Sequence, residues 1–480
     1  MGGVTERQTS VVVLGGGPGG YEAALVAAAI GGSVTVVDRD GVGGAAVLTD
    51  CVPSKALIST AAYVGQVEEA SKRGVHLAEG ADVDTTLEPE LVEVNERILG
   101  LAHAQSHDIR ERLETVGVTV LDGTGRLTDA STVEVTLASG ETRTLTADMI
   151  LVATGSTPRV LDTMRPDGER ILTWKQIWDL QEVPERLVVV GSGVTGAELA
   201  QAYLGLGSEV VLVSSRDRVL PGEDADAAEL IENVFRAQGM EVLNRSRAAS
   251  VERTEDGIVC TLQDGRTVTG SHALIAVGSV PQTEGLGLAE AGVELSESGH
   301  IVVDRVSRTT ARGVYAAGDC TGVLPLASVA AMQGRIAVAH ALGDAVAPLQ
   351  IRGISANIFT EPEIATVGTG LASPAAKEKG SPVEGEPGIR QILMPLATNP
   401  RAKMDNLSEG FVKLFAREGS NVLKGGVVVA PRASELIFPI ALAVQQRLTV
   451  DQVAATITVY PSLSGSITEA ARRLHVTVED

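Results

Sequence analysis

Short apolar runs alternate along the chain with glycine-rich turns and with longer stretches of helix-forming residues. Near the amino-terminal end, Val11 to Leu14 is one such run, Glu22 to Ile30 is helix-forming, and Val34 to Val37 is the next run. Continuous short apolar runs bounded by turn residues are typical of strands buried on both faces of a parallel sheet. The pattern therefore predicts a strand, a helix and a second, parallel strand.

Glycines occupy the turn between the first strand and the helix, at Gly15, Gly17 and Gly20, and the second strand ends in Asp38. Glycines let the backbone turn sharply and approach a pyrophosphate, the helix amino terminus stabilises the anion, and the acid binds the ribose hydroxyls. An isolated glycine motif would favour a turn without a ligand, but here strand, helix and terminal acid agree. The sequence predicts a dinucleotide-binding unit.

The same design recurs after a constant shift of 176 residues, which carries Gly15 onto Gly191. A run from Leu187 to Val190 precedes Gly191, Gly193 and Gly196, and a second run extends from Val210 to Val213. Two units of one design predict two bound dinucleotides.

Each unit later returns to an apolar strand closed by glycine, Ile150 to Gly155 in the first unit and Ala273 to Gly278 in the second. The first unit is longer, and the extra residues fit the stretch 54–117. Apolar residues recur there at near-helical spacing, at Leu91, Val94, Ile98, Leu101, Ile109, Leu113 and Val116. This spacing predicts an inserted helical hairpin.

Composition excludes several classes of function. The net charge of -22 over 480 residues argues against a nucleic-acid partner or an anionic membrane, which both need a positive surface. No apolar run approaches the roughly 20 residues that span a bilayer, so no stable membrane association is expected. Three cysteines without a Cys-x-x-Cys pair predict neither a zinc ribbon nor a secreted disulfide framework, and the seven histidines show no metal-ligand spacing. We expect no metal and a cytoplasmic location.

The segment from Gly43 to Lys55 resembles the redox-disulfide loop of the flavoprotein disulfide reductases, among them lipoamide dehydrogenase and glutathione reductase. Aligned on its glycines and on its Pro-Ser-Lys end, the first cysteine of that loop falls on Ala46 and the second on Cys51. Disulfide exchange needs two thiols that attack and leave in turn. The chain therefore keeps the loop of this family without its disulfide chemistry.

The resemblance covers nearly the whole chain, through four further landmarks at residues 153–155, 314–319, 358–365 and 399–403. It implies an α/β fold with two Rossmann-like dinucleotide-binding domains, for FAD and NAD(P)H, and a C-terminal α+β dimerisation domain. The implied boundaries are 1–160 for the first part of the FAD domain, 161–284 for the NAD(P) domain, 285–350 for the second part of the FAD domain, and 351–480 for the interface domain.

Roles for individual residues follow from the resemblance. The implied FAD-binding residues are Gly15, Gly17, Gly20, Asp38, Gly44, Lys55, Thr154, Gly155, Gly318 and Asp319. The implied NAD(P)-binding residues are Gly191, Gly193, Gly196, Glu198, Ser214, Ser215, Arg216 and Gly278. Lys55 and Glu198 match a Lys-Glu pair beside the flavin ring, where a cation near N5 stabilises the reduced flavin. Cys51 either tunes the flavin or is a small buried apolar residue.

The second unit departs from the NAD pattern at the end of its second strand. An NAD site has Asp or Glu there, which binds the 2′-hydroxyl and repels a 2′-phosphate, whereas this chain has Ser214, Ser215 and Arg216. Hydroxyl donors and a guanidinium suit a phosphate, so we expect NADPH to be accepted. Loss of repulsion does not exclude NADH, and its use stays open.

Residues from about 351 onward predict strands at Phe411 to Phe415 and Val427 to Val429, and a helix from Ser434 to Arg447. In the family this region forms a homodimer and supplies a His-Pro-Thr-x-x-Glu motif to the partner's active site. Here Tyr460 replaces the histidine and Gly465 replaces the glutamate. That histidine-glutamate pair moves protons to and from thiols. Its replacement is therefore consistent with the replacement of the first cysteine by Ala46. Tyr460 either faces a planar acceptor or fills the volume of the histidine.

We expect a cytoplasmic, homodimeric FAD-dependent NAD(P)H:quinone oxidoreductase, in which hydride passes to flavin N5 and electrons pass directly to a quinone-like acceptor. Catalytic roles are predicted for Lys55, Glu198, Tyr460 and Cys51. The choice of a quinone as the acceptor follows from the resemblance to a branch of the lipoamide dehydrogenases that lacks the thiol pair. The alternatives are a soluble pyridine nucleotide transhydrogenase and a non-catalytic, nucleotide-bound structural or redox-sensing subunit.

Overall fold

The computed structural model describes residues 8–76, 87–368 and 388–475. In chain order the strands are β1 Ser10–Leu14, β2 Ser33–Asp38, β3 Thr119–Asp129, β4 Thr132–Leu137, β5 Thr142–Thr146, β6 Met149–Val152, β7 Ser156–Pro158, β8 Ile171–Leu172, β9 Arg186–Val190, β10 Glu209–Val213, β11 Glu241–Leu243, β12 Ala248–Arg253, β13 Ile258–Leu262, β14 Thr267–Gly270, β15 His272–Ile275, β16 Ser279–Pro281, β17 Val314–Ala316, β18 Ser355–Ile358, β19 Glu363–Gly368, β20 Ile389–Pro395, β21 Phe411–Arg417 and β22 Leu423–Ala430. The helices are α1 Pro18–Ala29, α2 Gly44–Leu48, α3 Cys51–Glu68, α4 Leu91–Thr115, α5 Val194–Gly205, α6 Ala225–Ala237, α7 Ala327–Ala341, α8 Pro400–Met404, α9 Ala433–Gln445, α10 Val450–Ala454 and α11 Gly465–His475.

The chain divides into two compact units. The first contains Met1–Ala56, Asn95–Arg159 and Gly278–Leu349, and the second contains Leu57–Val94, Val160–Val277 and Gln350–Asp480. The first unit contains most of the two expected parts of the FAD domain, and the second contains most of the expected NAD(P) and interface domains. Leu57–Val94, expected in the FAD domain, falls in the second unit. The finer boundaries stay a prediction. Helices α3 and α4 lie in the stretch predicted as a helical hairpin, of which residues 77–86 are outside the described part.

The first unit is built on a seven-stranded sheet in the order β17-β6-β1-β2-β3-β4-β5. The strands from β17 to β3 are parallel, and β4 and β5 extend the sheet as an antiparallel meander. The four residues Val11 to Leu14 are all at most 2% exposed, because the sheet is covered on both faces. This explains why the sequence shows a continuous apolar run rather than an alternating one.

Helices α1 and α7 pack together on one face of this sheet through residues with very small side chains. A Cβ atom on Gly334 would lie 2.1 Å from the carbonyl oxygen of Gly19, and a Cβ on Gly19 would lie 3.3 Å from the carbonyl oxygen of Ala330. The absence of side chains lets the two helix backbones approach closely. Helix α1, which begins with the nucleotide turn, is therefore held rigidly from behind.

The second unit contains a parallel sheet in the order β11-β10-β9-β15-β8 and a separate antiparallel sheet of β12, β13 and β14. Its C-terminal part is a five-stranded antiparallel sheet in the order β18-β19-β22-β21-β20, with α9 and α11 packed into one hydrophobic core with it. The predicted C-terminal strands and helix correspond to β21, β22 and α9.

A buried lysine joins the C-terminal sheet to the start of helix α6 within this unit. Lys413 lies in β21, and its Nζ is 2.9 Å from an oxygen of Asp224 and 2.9 Å from an oxygen of Asp226. The side chains of Lys413 and Asp224 are 1% and 2% exposed. Asp224 also caps α6, since its carboxylate accepts hydrogen bonds from the backbone N–H groups of Asp226 and Ala227. One carboxylate thus compensates the ammonium and starts the helix.

We expect Lys413→Met to lower the free energy of unfolding by about 3–5 kcal/mol, because it removes the ammonium that compensates the buried Asp224 carboxylate. Urea unfolding followed by circular dichroism measures the change. The control Lys403→Met changes an exposed lysine and is expected to leave the unfolding midpoint in place. The double variant Lys413→Met/Asp224→Asn should recover part of the loss, and an undiminished loss would contradict a charge effect.

Candidate functional site

Four strand ends of the first unit meet at one edge of its parallel sheet. Strands β2, β1, β6 and β17 are consecutive neighbours in the sheet. Their carboxyl ends lead into Asp38, Gly15, Thr154 and Gly318, respectively. In open parallel sheets, ligands bind outside the carboxyl ends of the strands. The topology thus brings together segments that are up to 303 positions apart in the chain, as 318 minus 15 gives.

The three glycines of the first turn differ in the space that a side chain would have. Gly15 has a φ of 99°, and a Cβ atom on it would lie 2.3 Å from the carbonyl oxygen of Ala153. A Cβ on Gly20 would lie 1.8 Å from the carbonyl oxygen of Gly15, whereas on Gly17 it would meet nothing nearer than Gly44 Cα at 4.0 Å. The two outer glycines, Gly15 and Gly20, are therefore required because any side chain would clash with the backbone. The middle glycine leaves open space, which is what a pyrophosphate needs.

Helix α1 begins at this open space, with Gly17 as its N-cap and no side-chain hydrogen bond at the cap. The first N–H groups of a helix have no partners inside it and carry its partial positive charge. An anion in front of Gly17 therefore meets both N–H donors and a favourable dipole. These residues fit the pyrophosphate of FAD.

Asp38 is held in place before any ligand binds. One carboxylate oxygen accepts the N–H of Gly16 at 2.5 Å, and the other accepts the N–H groups of Asp40 at 2.9 Å and Gly41 at 2.6 Å. Burial raises the pKa of Asp38 above its ordinary value, and the three N–H donors oppose that rise. Its remaining lone pairs suit the ribose hydroxyls of an adenosine, as the sequence predicts.

The segments of β6 and β17 carry a hydrogen-bond network that sequence reasoning missed. Asp319 accepts a hydrogen bond from Ser156 Oγ at 2.9 Å, and the side-chain amide oxygen (Oε1) of Gln333, a residue that is 1% exposed, accepts the N–H of Gly318 at 2.9 Å. Thr154 Oγ1 donates to the carbonyl oxygen of Gln282 at 2.6 Å. Burial raises the pKa of Asp319, against the bond from Ser156. Ser156 and Gln333 therefore position the predicted Asp319 and Gly318.

The loop that resembles a redox-disulfide loop folds as two consecutive helices, α2 and α3. The N–H of Gly43 donates to the carbonyl oxygen of Gly16 at 2.7 Å, and a Cβ on Gly44 would lie 2.8 Å from Gly17 Cα. The loop is thus packed against the first glycine turn. Ala46 lies in α2 and Cys51 is the first residue of α3, and both are half-buried.

Lys55 follows one helical turn after Cys51 in α3. Its Nζ lies 3.3 Å from the hydroxyl oxygen of Ser54, which is 4% exposed. Lys55 lies in the first unit and Glu198 in the second. Their pairing beside a flavin stays a prediction.

The second glycine turn repeats the first almost contact for contact. Gly191 has a φ of 114°, a Cβ on it would lie 2.2 Å from the carbonyl oxygen of Ala276, and a Cβ on Gly196 would lie 1.9 Å from that of Gly191. A Cβ on Gly193 would meet nothing within 4 Å, and Gly193 is the N-cap of α5 without a side-chain bond. This turn also fits a pyrophosphate. Gly278, with a φ of 96°, follows two residues after Ala276.

The residues after β10 divide into one buried and two exposed positions. Ser214 is fully buried, and its hydroxyl is 2.7 Å from that of Ser192 and accepts the N–H of Arg216 at 3.2 Å. Ser215 and Arg216 are exposed. Ser214 thus shapes the turn from inside, and the predicted binding residues that face outward are Ser215 and Arg216.

Glu198 has a structural partner that the sequence did not predict. It lies in α5, is 3% exposed, and one of its carboxylate oxygens accepts the N–H of Phe359 at 2.9 Å. One helical turn later, Gln201 exchanges two hydrogen bonds with the backbone of Glu361, at 2.7 and 2.8 Å. The two side chains hold the segment 359–361 on helix α5.

Tyr460 lies in the loop before α11 and is 81% exposed, with Ile457 98% and Val459 76% exposed beside it. The loop is anchored by Asn399, whose amide donates to the carbonyl oxygen of Ser462 at 3.0 Å and to the hydroxyl of Ser466 at 2.8 Å. Asn399 also caps α8. A buried asparagine therefore fixes the loop that presents Tyr460.

Comparisons with known proteins agree with this geometry. Residues 9–334 match the family described as pyridine nucleotide-disulphide oxidoreductase, and residues 354–471 match its dimerisation domain. The chain belongs to the pyridine nucleotide-disulphide oxidoreductase family. The resemblance and the fold class predicted from sequence are confirmed, since members of this family combine two nucleotide-binding domains with a C-terminal dimerisation domain.

Individual members of the family show how similar the chain is. It is 53% identical over 475 residues to a protein named NAD(P)H dehydrogenase (quinone) of Mycobacterium tuberculosis strain H37Rv, covering 97% of this chain and 94% of the relative. It is 35% identical over 470 residues to dihydrolipoyl dehydrogenase 2 of Haloarcula marismortui, covering 96% of both chains. The crystal structure of LpdA from Mycobacterium tuberculosis superposes with a TM-score of 0.89 at 52% identity, covering 98% of this chain and all of that one.

The remaining chemical groups add little to the site. Burial raises the pKa of Cys260 and of Cys320 to about 11, so neither thiol is ionised near neutral pH. Among residues 8–76, 87–368 and 388–475, no group of three or more His, Cys, Asp or Glu is placed to hold a metal ion. No helix of the described chain is long and apolar enough to cross a bilayer.

Two alanine substitutions separate ligand space from packing in the second turn. We expect Gly193→Ala to keep the melting temperature but to weaken NAD(P)H binding by about tenfold or more, or roughly 1.4 kcal/mol, because its methyl group occupies only ligand space. Gly196→Ala should instead destabilise the fold by about 1–3 kcal/mol through overpacking. Thermal unfolding and isothermal titration with NADPH measure both. Equal loss of stability in the two variants would contradict the assignment.

Proposed function

We propose that the protein is an FAD-dependent NAD(P)H:quinone oxidoreductase that lacks disulfide reductase activity. The observation that carries the proposal is the loop formed by α2 and α3, which is packed on an intact nucleotide turn but has Ala46 where disulfide exchange needs a second thiol. The relative named NAD(P)H dehydrogenase (quinone), at 53% identity, supports the choice of acceptor. The reaction balances as NAD(P)H, a proton and a quinone giving NAD(P)⁺ and a hydroquinone.

The residues of the first unit would hold FAD. The turn from Gly15 to Gly20 and the amino terminus of α1 would bind the pyrophosphate, Asp38 the adenosine ribose, and Asp319 the ribityl chain. Bound FAD supplies a two-electron carrier that accepts hydride from a nicotinamide and can reduce an acceptor without a thiol. Lys55 would place a cation beside the ring, where charge develops on reduction.

The C-terminal residues support a change of acceptor rather than a loss of activity alone. The His-Glu pair of the disulfide reductases would move a proton to a thiolate, and Tyr460 and Gly465 provide neither the imidazole nor the carboxylate that this transfer uses. A hydroquinone takes its protons from solvent without such a pair. Tyr460 is exposed on the monomer surface, where its ring is available for a planar acceptor or for a partner subunit.

We propose NADPH as the preferred coenzyme, with NADH also used. Ser215 and Arg216 offer donors and a positive charge at the place where NAD enzymes have an acid. Position 214, where NAD enzymes have the acid, carries no carboxylate to repel a 2′-phosphate or to bind the 2′-hydroxyl of NADH. A reducing cytoplasm, suggested by the few cysteines, supplies both coenzymes.

An anaerobic experiment with purified yellow protein tests the reaction. We expect NADPH to bleach the yellow absorbance and menadione to restore it quickly, whereas lipoamide does not restore it, because one thiol cannot carry out exchange. Cys51→Ser is expected to retain menadione turnover of the same order. Turnover of lipoamide, or loss of menadione turnover in Cys51→Ser, would show that sulfur takes part. Fast reoxidation by NAD⁺ with none by menadione would identify a transhydrogenase, and protein that NADPH does not bleach would identify a non-catalytic subunit.

We propose that the chain forms a homodimer through its C-terminal region, which matches a dimerisation domain. Apolar side chains are exposed there on the monomer, and contiguous exposed apolar groups mark association surfaces. The exposed residues are Phe438, Leu442, Ile457, Val459 and Tyr460.

We expect Ile457→Asp to convert the dimer to monomers at micromolar concentration, because a carboxylate would be buried in the interface without a partner. Size-exclusion chromatography with light scattering gives the mass. Ile457 is 98% exposed in the monomer, so the folded monomer itself should be unaffected. Val302→Asp, at a position 42% exposed in the first unit, is the matched control and should stay dimeric. A monomeric wild-type protein would refute the homodimer.

A further inference from the structure

Arginines gather at one edge of the parallel sheet in the second unit, although the chain as a whole has a net charge of -22. The edge is formed by the carboxyl ends of β10 and β11, which pair in parallel with Val213 opposite Leu243. The arginines that follow these strands or contact the segments after them are Arg216, Arg218, Arg245, Arg247 and Arg266. Two of these arginines pair with carboxylates, Arg245 with Asp217 and Arg266 with Asp264. The remaining surplus of positive charge on an acidic protein suits an anionic ligand.

The segments after the two strands are joined by three backbone hydrogen bonds. The N–H of Ser214 donates to the carbonyl oxygen of Leu243 at 2.9 Å, and the N–H of Ser246 donates to that of Ser214 at 2.7 Å. The N–H of Arg245 donates to the carbonyl oxygen of Arg216 at 2.8 Å. The positions of Arg216 and Arg245 are therefore fixed relative to each other by the backbone, independently of their side chains.

This edge is also tied to the second glycine turn. The hydroxyl groups of Ser192 and Ser214 lie 2.7 Å apart, and the N–H of Leu220 donates to the carbonyl oxygen of Ser192 at 2.9 Å. Ser192 stands between Gly191 and Gly193. In a dinucleotide-binding unit the end of the second strand faces the ribose hydroxyls of the adenosine. A 2′-phosphate bound there would lie next to Arg216 and thus close to the backbone of Arg245.

The backbone conformation of Arg245 and its ion pair both bear on its role. Its φ is 53°, a left-handed conformation that is uncommon for a residue with a side chain. Its side chain is 78% exposed and pairs with Asp217, which is 80% exposed, through a bond of 2.8 Å. Exposed ion pairs of this kind contribute only about 0–1 kcal/mol. A doubly charged phosphate can therefore replace Asp217 as the partner of Arg245 at little cost.

We propose that Arg245 is a second arginine for the 2′-phosphate of NADPH, acting beside Arg216 and exchanging Asp217 for the phosphate when the coenzyme binds. The proposal deepens the proposed function, since it names a specificity-determining residue of its coenzyme site. Asp217 then has a defined effect as well. It competes with the phosphate for Arg245 and so keeps the preference for NADPH below its maximum.

Binding of coenzyme fragments tests the proposal without any turnover. The full-length protein is titrated calorimetrically with adenosine 2′,5′-bisphosphate and with adenosine 5′-monophosphate, which differ only in the 2′-phosphate. We expect Arg245→Asn to weaken the bisphosphate by about tenfold, the loss of one charge-assisted contact of roughly 1.4 kcal/mol, and to leave the monophosphate unchanged. Arg216→Gln serves as the reference and should show the same pattern.

Three further variants make the result decisive. Asp217→Asn should tighten the bisphosphate, and the double variant Asp217→Asn/Arg245→Asn should not. Arg253→Gln, an exposed arginine paired with Glu169 in the same unit, should change neither ligand. Asparagine and glycine tolerate a positive φ, so Arg245→Gly provides a second variant if Arg245→Asn lowers the melting temperature.

An equal effect of Arg245→Asn on both ligands, or no effect on either, would overturn the role of Arg245. The outcome is independent of the proposed reaction, because neither ligand carries a nicotinamide. A protein that discriminates the bisphosphate through Arg245 but reduces no quinone would refute the proposed acceptor and support the coenzyme site. A protein that reduces quinones with unchanged discrimination in Arg245→Asn would do the reverse.

Discussion

Both nucleotide turns depend on a contact between helix and carbonyl oxygen that only glycine permits. The space for a Cβ atom on Gly20 lies 1.8 Å from the oxygen of Gly15, and on Gly196 it lies 1.9 Å from that of Gly191. Because the helix starts this close to the strand, its first N–H groups point at the space in front of the strand end. The middle glycines, Gly17 and Gly193, make no such contact and leave this space open. The same physical arrangement thus builds both sites.

The chain is acidic on average, but positive groups lie at the places where anions are expected to bind. The chain has a net charge of -22, yet the ends of β10 and β11 present arginines, and the helix amino termini present N–H groups. The buried Lys413 and Asp224 then fix the start of α6 to the C-terminal sheet within the second unit. Exposed charges near the strand ends are thus placed for ligand recognition, whereas the buried Lys413–Asp224 pair joins two parts of the fold.

The fold of this protein was largely predictable, because its signals are local and repeated. Glycines at fixed offsets between a strand and a helix, and the same offsets 176 residues later, specify two parallel sheets with little ambiguity. Contacts between distant segments had no such signal. Gln333 bonds the N–H of Gly318, Glu198 bonds that of Phe359, and Asn399 anchors the loop of Tyr460. Nothing in the spacing of these residues indicates their partners.

The sequence by itself determined the family, the two nucleotide turns and the missing thiol at Ala46, since each is a matter of residue type at a short, fixed spacing. Only the tertiary structure decided which polar groups face outward. Ser214 was predicted to contact a phosphate with Ser215, but its hydroxyl is fully buried and bonds Ser192. Arg245 gave no signal in the sequence, and the pairing of β10 with β11 placed it beside Arg216. The reason is physical: side-chain direction and strand pairing depend on hydrogen bonds between segments that are far apart in the chain.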